Sequence, residues 1–182
     1  MSEAELKEIR GYTFLSLKPL LIVINIDEDR LSALAEIEQQ YADLNIPGRC
    51  ESVVICGKIE TELAQMPPDE RREFLDDLGI GQPAVDLVIQ RAFKLLGLIP
   101  FFTAGEMESK AWTINEGTIA RRAAGFIHSD IERGFIRAEV IAYEDYVACQ
   151  TPAEARKQGK MRLEGKEYVV ADGDVINFRF NV

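Results

Sequence analysis

The sequence is poor in the residues that build metal and redox centres. Its 182 residues include one histidine and three cysteines. Cys50, Cys56 and Cys149 are odd in number and lack a C-x-x-C spacing, and only His128 can join them. We therefore expect three reduced thiols in a reducing compartment, with no metal site and no redox chemistry.

Long apolar runs and an excess of positive charge are also missing. No run of about 18 or more apolar residues and no cationic-then-apolar leader occurs, so we expect a cytosolic protein without membrane contact. The net charge is −10; residues 1–97 contain 10 basic and 18 acidic side chains, and residues 98–182 contain 11 and 13. This excludes a globally basic nucleic-acid binder but allows a local basic patch in the second half.

The most distinctive stretch present is Leu20 to Glu28, LLIVINIDE. It is apolar at every position as far as Asn25, a pattern typical of parallel strands that are buried on both faces. A helical pattern from Leu31 to Leu44 and a second apolar strand, Ser52 to Cys56, follow it and predict a right-handed βαβ unit. Such sheets bind ligands beyond the carboxyl ends of their strands, where the polar end of LLIVINIDE is expected.

At about Gly97 the apolar period changes from 3.6 to 2, which predicts a domain boundary. Short strands are expected at 101–103 and 110–114, with a helix over 118–126. Two later strands alternate between apolar and polar residues. In the first, Ile136, Ala138 and Val140 are expected to point inward, and Arg137 and Glu139 outward. In the second, Ile176, Phe178 and Phe180 are expected to point inward, and Asn177 and Arg179 outward. We therefore expect an α/β part at 1–97 with a partial P-loop-NTPase-like βαβ unit, followed at 98–182 by an α+β domain of the β-grasp kind.

The segment Asn25-Ile26-Asp27-Glu28 has the form of a motif that recognises a nucleotide base. GTPases carry Asn-Lys-x-Asp at such a strand end, where the carboxylate accepts two hydrogen bonds from guanine and the asparagine braces the loop. Here Glu28 is one methylene longer than aspartate and Ile26 replaces the lysine, and both changes disturb a site tuned for guanine. The alternative is that the acidic residues only cap the next helix, whose N-terminus favours negative charge.

A second loop favours the nucleotide interpretation. Cys56-Gly57-Lys58 follows the second strand, at the place where GTPases carry a Ser-Ala-Lys loop whose backbone amides contact the base from the other side. Alone this turn is weak support, but two loops in the right order at adjacent strand ends are a stronger signal. The predicted nucleotide site consists of Asn25, Ile26, Glu28, Cys56, Gly57 and Lys58.

Six longer stretches carry a family resemblance: LKPLLIVINIDED, KIETELAQ, EFLDDLGI, LLGLIPFFTAGE, AWTINEGTIARRAAGFIHSDIERGFIRAEVIAYEDY and KMRLEGKEYVVADGDVINFRFNV. The chain resembles the C-terminal half of the YchF-type Obg-like ATPases, a branch of the P-loop GTPases. The resemblance implies that residues 1–14 end a coiled-coil insertion, 15–97 end the nucleotide-binding domain, and 98–182 form a TGS domain, which is a β-grasp module. The family prefers ATP to GTP, and this fits the Asn-x-x-Glu sequence.

The parts of that family that act on phosphates are missing. The sequence contains no G-x-x-x-x-G-K-[ST] loop and no Mg²⁺-binding threonine segment, on which phosphoryl transfer depends. We therefore expect no catalytic residue and no hydrolysis by this chain alone, Mg²⁺ only in a full-length protein, and ATP or GTP binding that is at best roughly millimolar. The alternative function is a noncatalytic TGS interaction module with a vestigial nucleotide-binding scaffold.

The resemblance also implies partners. Without the family's upstream strands, the first half would have bare strand edges and apolar faces, which predicts self-association. TGS domains are linked with RNA or ribosome contact, and basic side chains can follow phosphates. The candidate residues are Arg121, Arg122, Arg133, Arg137, Arg156, Lys157, Lys160, Arg162 and Lys166, for which a solvated surface of mixed charge is the alternative.

Overall fold

The computed structural model describes residues 3–105 and 108–181. These residues divide between Leu96 and Gly97 into two compact units, called here the first unit and the second unit. No helix within the described ranges is long and apolar enough to cross a membrane.

The first unit surrounds a two-stranded parallel sheet with helices. Its elements in chain order are α1 (Glu3–Ile9), β1 (Leu20–Asn25), α2 (Leu34–Gln40), β2 (Cys50–Ile55), α3 (Gly57–Gln65), α4 (Arg71–Asp77) and α5 (Ala84–Leu96). Short 3-10 helices lie at Arg10–Tyr12, Leu15–Leu17, Glu28–Ala33 and Ala42–Leu44. The predicted parallel pairing is present.

The two strands of the first unit are in register from end to end. Leu20 lies opposite Cys50, and Asn25 lies opposite Ile55. One face of the strand pair packs on α2, α3 and α4 through a cluster of buried apolar side chains, while α5 packs on both strands as well. Because the strands run parallel and end together, the loops that follow Asn25 and Ile55 leave the same edge of the sheet.

The second unit contains a five-stranded mixed sheet. Its elements are β3 (Leu98–Ala104), β4 (Ser109–Asn115), α6 (Ala120–Ile127), α7 (Ser129–Arg133), β5 (Phe135–Ile141), α8 (Tyr143–Cys149), α9 (Pro152–Lys157), β6 (Arg162–Glu164) and β7 (Val175–Phe180). The strand order is β4-β3-β7-β5-β6, in which the β3–β7 pair is parallel and the other pairs are antiparallel.

The main core of the second unit lies between this sheet and α6. Three alanines of α6 are fully buried: Ala120, Ala123 and Ala124. Small side chains on that face let the helix lie close to the sheet, where it covers Phe101 and Val140. The amphipathic pattern over residues 118–126 predicted this helix, and the structure begins it two residues later.

Two of the predicted inward positions are wrong. Ile136 is 59% exposed, because the β5–β7 register shifts between Phe135 and Arg137 and this irregularity removes Ile136 from the alternation. Phe180 is 45% exposed, since it ends β7 opposite Phe135, beside the same irregularity.

The prediction for Glu139 also needs correction. Its side chain lies on the face of the sheet opposite α6, as expected, but it is only 3% exposed. The reason is that α8 and α9, which the alternation did not predict, cover this part of the opposite face through a small cluster of Ile141, Cys149 and Ala155. Both faces of β5 are therefore partly covered.

Candidate nucleotide-base site

The two predicted base loops meet at the carboxyl edge of the parallel strands. The Gly57 N–H donates to Oδ1 of Asn25 at 2.9 Å, across 32 residues of sequence. A Cβ atom at position 57 would lie 3.2 Å from the same oxygen, closer than the usual van der Waals contact. Glycine thus permits the close approach that connects the two loops, and Asn25 braces the start of α3.

A second contact joins the same loops through charge. Nζ of Lys58 lies 2.5 Å from Oε2 of Glu28, and both side chains reach solvent. The hydrogen bond to Glu28, together with its negative charge, raises the pKa of Lys58 above its ordinary value. The Glu28 carboxylate therefore lies at the mouth of the site with one strong donor already beside it.

The capping alternative has no support at Asp27. Asp27 occupies the N-cap position of the 3-10 helix Glu28–Ala33, yet its side chain makes no capping hydrogen bond. Glu28 faces Lys58 rather than the backbone of its own helix. Asp27 and Glu28 therefore do not cap the helix by hydrogen bonds, while Glu28 and Asp29 lie in its first turn, where negative charge is favourable.

Ile26 lies deeper than expected, and the side chain of Cys56, for which only a backbone contact was predicted, is buried as well. The side chains of Ile26 and Cys56 are each 5% exposed and belong to the core of the first unit. The Ile26 N–H is also used, because it donates to Ile55 O at 2.9 Å. The structure thus corrects the expectation for Ile26, since its side chain packs inward and does not line an open pocket.

Sequence reasoning missed two carboxylates that hold α5 in place. Glu60 accepts the Ala84 N–H at 2.7 Å and so caps the N-terminus of α5. Glu51 is 4% exposed on β2 and lies 2.9 Å from Lys94 near the other end of that helix. Both pairs join residues distant in sequence, so no local pattern identifies them.

An apolar hollow near the loops lies apart from most of the predicted base-site residues. A cavity of about 230 Å³ lies between α2, α3 and the segment before α5, and its lining includes Cys56 and Ile59. Asn25, Glu28 and Lys58 do not contribute to it. Within residues 3–105 and 108–181, no group of three or more His, Cys, Asp or Glu side chains is placed to hold a metal ion.

The predicted basic residues do not form one surface. Arg121, Arg122 and Arg133 lie on α6 and α7, whereas Arg137 faces the opposite side of the sheet, toward α9. Most candidates already have an acidic partner: Arg122–Glu132 at 3.0 Å, Arg133–Asp130 at 2.5 Å, Arg137–Glu139 at 3.7 Å, Lys157–Glu154 at 3.6 Å and Lys160–Asp145 at 3.0 Å.

Arg162 also has acidic partners, Glu164 and Asp174, whereas Arg121 and Lys166 have none among the described residues. Arg162 donates to Asp174 at 3.2 Å and to the Tyr168 hydroxyl at 3.1 Å, and it thereby braces the turn before β7. Burial and the hydrogen bond to Asp174 raise the pKa of Tyr168 above its ordinary value. Arg121 is exposed and has no ion-pair partner in the part of the chain that the structure describes.

The paired parallel strands and the mixed sheet place the chain among mixed α/β proteins of the GTPase kind. Over 98% of its length it superimposes on a solved structure of the Schizosaccharomyces pombe YchF GTPase, with a TM-score of 0.77 and 30% identity, covering 48% of that chain. A GTP-binding protein from Pyrococcus horikoshii OT3 shares the fold at a TM-score of 0.56 and 17% identity, over 90% of this chain and 46% of that one.

Sequence comparison identifies the family. Residues 98–181 match the YchF-GTPase_C family, described as "Protein of unknown function (DUF933)". The whole chain is 46% identical to the "Ribosome-binding ATPase YchF" of Bacillus subtilis (strain 168) and 45% identical to that of Pasteurella multocida (strain Pm70), and it covers 50% of each. The chain belongs to the YchF family and corresponds to the C-terminal half of its members. It spans about half the length of the curated relatives it matches.

Proposed function

We propose that the first unit supplies the base-recognition loops of a YchF-type nucleotide site. The observation that carries this proposal is the double connection between the loops, Asn25 to Gly57 and Glu28 to Lys58, at the shared carboxyl edge of β1 and β2. Ligands of open α/β sheets bind at that edge. Asn25 orients the loops, and the Glu28 carboxylate accepts N–H groups from a purine.

The ion pair at Glu28 sets the strength and the selectivity of this site. A purine must share the carboxylate with Lys58 or displace it, and either event weakens binding. Base contacts alone, without a phosphate cradle, leave an affinity of roughly millimolar. The longer side chain of glutamate and the inward-packed Ile26 favour ATP over GTP in this proposal.

In this proposal, nucleotide hydrolysis is carried out only by the longer proteins of the family. The relatives are named as ATPases, and the chain spans half of their length. Phosphoryl transfer needs phosphate and Mg²⁺ contacts that the motifs of this sequence do not provide. We expect the isolated chain with ATP and Mg²⁺ to release phosphate no faster than a buffer control.

Changing Glu28 to glutamine is expected to weaken purine binding at least fivefold, because a neutral amide is a poorer acceptor than a carboxylate. Binding is measured as chemical-shift changes of backbone amides during titration with ATP, GTP and ADP up to about ten times the roughly millimolar dissociation constant. Asp29→Asn is the matched control, since it removes one negative charge from the neighbouring exposed position.

The same titration separates the two candidate functions. Equal weakening by Asp29→Asn would mean that general charge, and not the Glu28 carboxylate, attracts the nucleotide. The noncatalytic interaction module is favoured by one observation, namely that Lys58 already occupies the Glu28 carboxylate. In that case none of the three nucleotides produces a saturable change in the wild-type chain.

We further propose that the second unit is a TGS domain of β-grasp type that contacts the ribosome or its RNA, and that the protein works in the cytoplasm. The relatives' names include ribosome binding. The strand order, with α6 packed across one face, is compatible with a β-grasp module. Arg121 and Lys166 are the candidates best placed for a phosphate, because both are exposed and neither charge is neutralised by an ion pair within the described residues; the Arg121 N–H donates to Lys166 O at 3.3 Å.

Reversing this charge with Arg121→Glu is expected to reduce co-sedimentation with ribosomes about tenfold at low salt. Each phosphate contact that is lost should also lower the slope of log affinity against log salt by about one. Arg72→Glu, an exposed reversal on α4 of the first unit, is the matched control. Unchanged retention of the Arg121 variant would count against a nucleic-acid role for α6.

A further inference from the structure

The second unit has a charged hollow on the sheet face opposite α6. Glu139 and Asn177 lie opposite each other on β5 and β7, and Arg137 lies opposite Arg179 one step along the same pair of strands. Arg156 reaches this face from α9 and donates to Oε1 of Glu139 at 3.2 Å. Three guanidinium groups therefore surround one carboxylate.

The charges of this cluster do not cancel. Oε2 of Glu139 lies 3.0 Å from Arg179 and also accepts from Asn177 at 3.2 Å, while Oε1 faces Arg156 at 3.2 Å and Arg137 at 3.7 Å. Three positive charges against one negative charge leave an excess of two. Burial alone would raise the pKa of Glu139, but the hydrogen bond and charge of Arg179 and the charge of Arg156 outweigh it and lower the pKa.

The excess charge faces open space. The Glu139 side chain is 3% exposed, whereas those of Arg137, Arg156 and Arg179 are 51%, 62% and 53% exposed. A guanidinium group has five N–H donors, of which the contacts with Glu139 use only one or two. Nε of Arg156 also donates to Sδ of Met161 at 3.4 Å, and the buried Glu139 carboxylate holds the three exposed guanidinium groups in place, with donors left for a ligand.

A cavity of about 220 Å³ begins at this cluster. Arg156, Arg179, Glu139 and Asn177 form its polar side. The opposite side is apolar and is built by Ile141, Tyr146, Met161 and Val175. A hollow with one anchored cationic side and one apolar side, open to solvent, suits a small organic anion, and its volume is below that of most drug-sized pockets.

We propose that this cavity binds the phosphate monoester group of a small organic molecule. A phosphate monoester carries close to two negative charges near neutral pH and is attracted by the positive excess of the cluster. Arg156 and Arg179 line the cavity, and their planar guanidinium groups match the geometry of the phosphate oxygens. The apolar side contacts the organic part, so an ester binds more tightly than free phosphate. The site lies across the sheet from Arg121, and this proposal is independent of ribosome contact and of the base loops in the first unit.

The test is a titration of the full chain at pH 7.5 and low salt, followed through the backbone amides of β5 and β7. The probes are ribose 5-phosphate, inorganic phosphate and dimethyl phosphate, which represent a monoester, the free anion and a singly charged diester. We expect saturable binding of ribose 5-phosphate, weaker binding of inorganic phosphate, and binding of dimethyl phosphate at least tenfold weaker than that of the monoester.

Two neighbouring residues of α9 give the matched variants. Arg156→Gln should weaken ribose 5-phosphate binding at least tenfold, whereas Lys157→Gln, which removes the same charge one residue away and outside the cavity, should stay within twofold of wild type. The proposal is overturned if the wild-type chain shows no saturable response, if both variants bind equally, or if the diester binds as well as the monoester, since that last result indicates a nucleic-acid backbone instead.

Discussion

Replacing Glu139 with glutamine is expected to lower the free energy of unfolding of the second unit by about 2–3 kcal/mol at pH 7. The carboxylate is 3% exposed and neutralises part of three guanidinium charges. A neutral amide of similar size keeps the packing but leaves the arginines to repel one another. The predicted loss is therefore electrostatic and should depend on pH.

The pH dependence has a definite sign. The pKa of Glu139 is lower in the folded chain than its ordinary value, because the arginines outweigh the effect of burial. The stabilisation is therefore fully present above the unfolded-state pKa of about 4.3 and is lost as the pH falls through the lower folded-state pKa. The stability difference between the wild type and Glu139→Gln should shrink in the same acidic range.

Urea unfolding followed by tryptophan fluorescence measures this effect selectively. The chain contains one tryptophan, Trp112, which packs against the core of the second unit. Glu154→Gln is the control, since its one ion pair within the described residues is a 3.6 Å surface contact with Lys157, which is expected to contribute less than about 1 kcal/mol. A Glu139 variant as stable as this control at pH 7 would show that the cluster does not stabilise the fold.

The sequence was most informative where a pattern was local. The apolar run that ends at Asn25 predicted the parallel strand that pairs with β2. It also predicted burial on both faces, which is wrong for Leu20 and Val23, because β1 has no second neighbouring strand in the described residues. The strand β2 was predicted in the same way, and the structure begins it two residues earlier, at Cys50. The polar residues after each strand marked the sheet edge at which the two loops meet.

Contacts between distant residues were not predictable in this way. Alternation assigned Glu139 to the correct face of β5, but it could not show that α8 and α9 would cover that face. Lys58 was placed in a base loop, yet its pairing with Glu28 spans 30 residues and leaves no local signal. Ile26 is separated from the apolar run by Asn25, and only the structure shows that its side chain packs into the core of the first unit.

Replacing Val23 with proline is expected to abolish most of the self-association that we propose for the first unit. In the described residues β1 pairs only with β2. Leu20 and Ile26 donate their N–H groups toward the β2 side, to Arg49 O and Ile55 O at 2.9 Å each. Alternate residues of a strand point their backbone groups to opposite sides, so the N–H and C=O of Val23 face the unpaired edge.

An unpaired strand edge with apolar side chains is a template for pairing with another chain. Leu20 and Val23 are 56% and 45% exposed, and both would be covered by a neighbouring strand. Proline at position 23 removes an outward N–H without breaking a β1–β2 hydrogen bond, and proline is tolerated on edge strands for this reason. We expect light scattering to show the wild type above the monomer mass, and the Val23→Pro dissociation constant to rise at least tenfold.

Val23→Thr distinguishes association through backbone pairing from association through apolar side chains. Threonine keeps the branched shape and the outward N–H but replaces a methyl group with a hydroxyl. If edge pairing drives association, the threonine variant stays associated while the proline variant dissociates; if apolar contact drives it, both variants weaken together. Circular dichroism of each variant establishes that the first unit remains folded. A wild-type chain that is a clean monomer, with residues 20–55 protected from proteolysis, would contradict the proposal, since the bare edge of β1 would then be stable in water on its own.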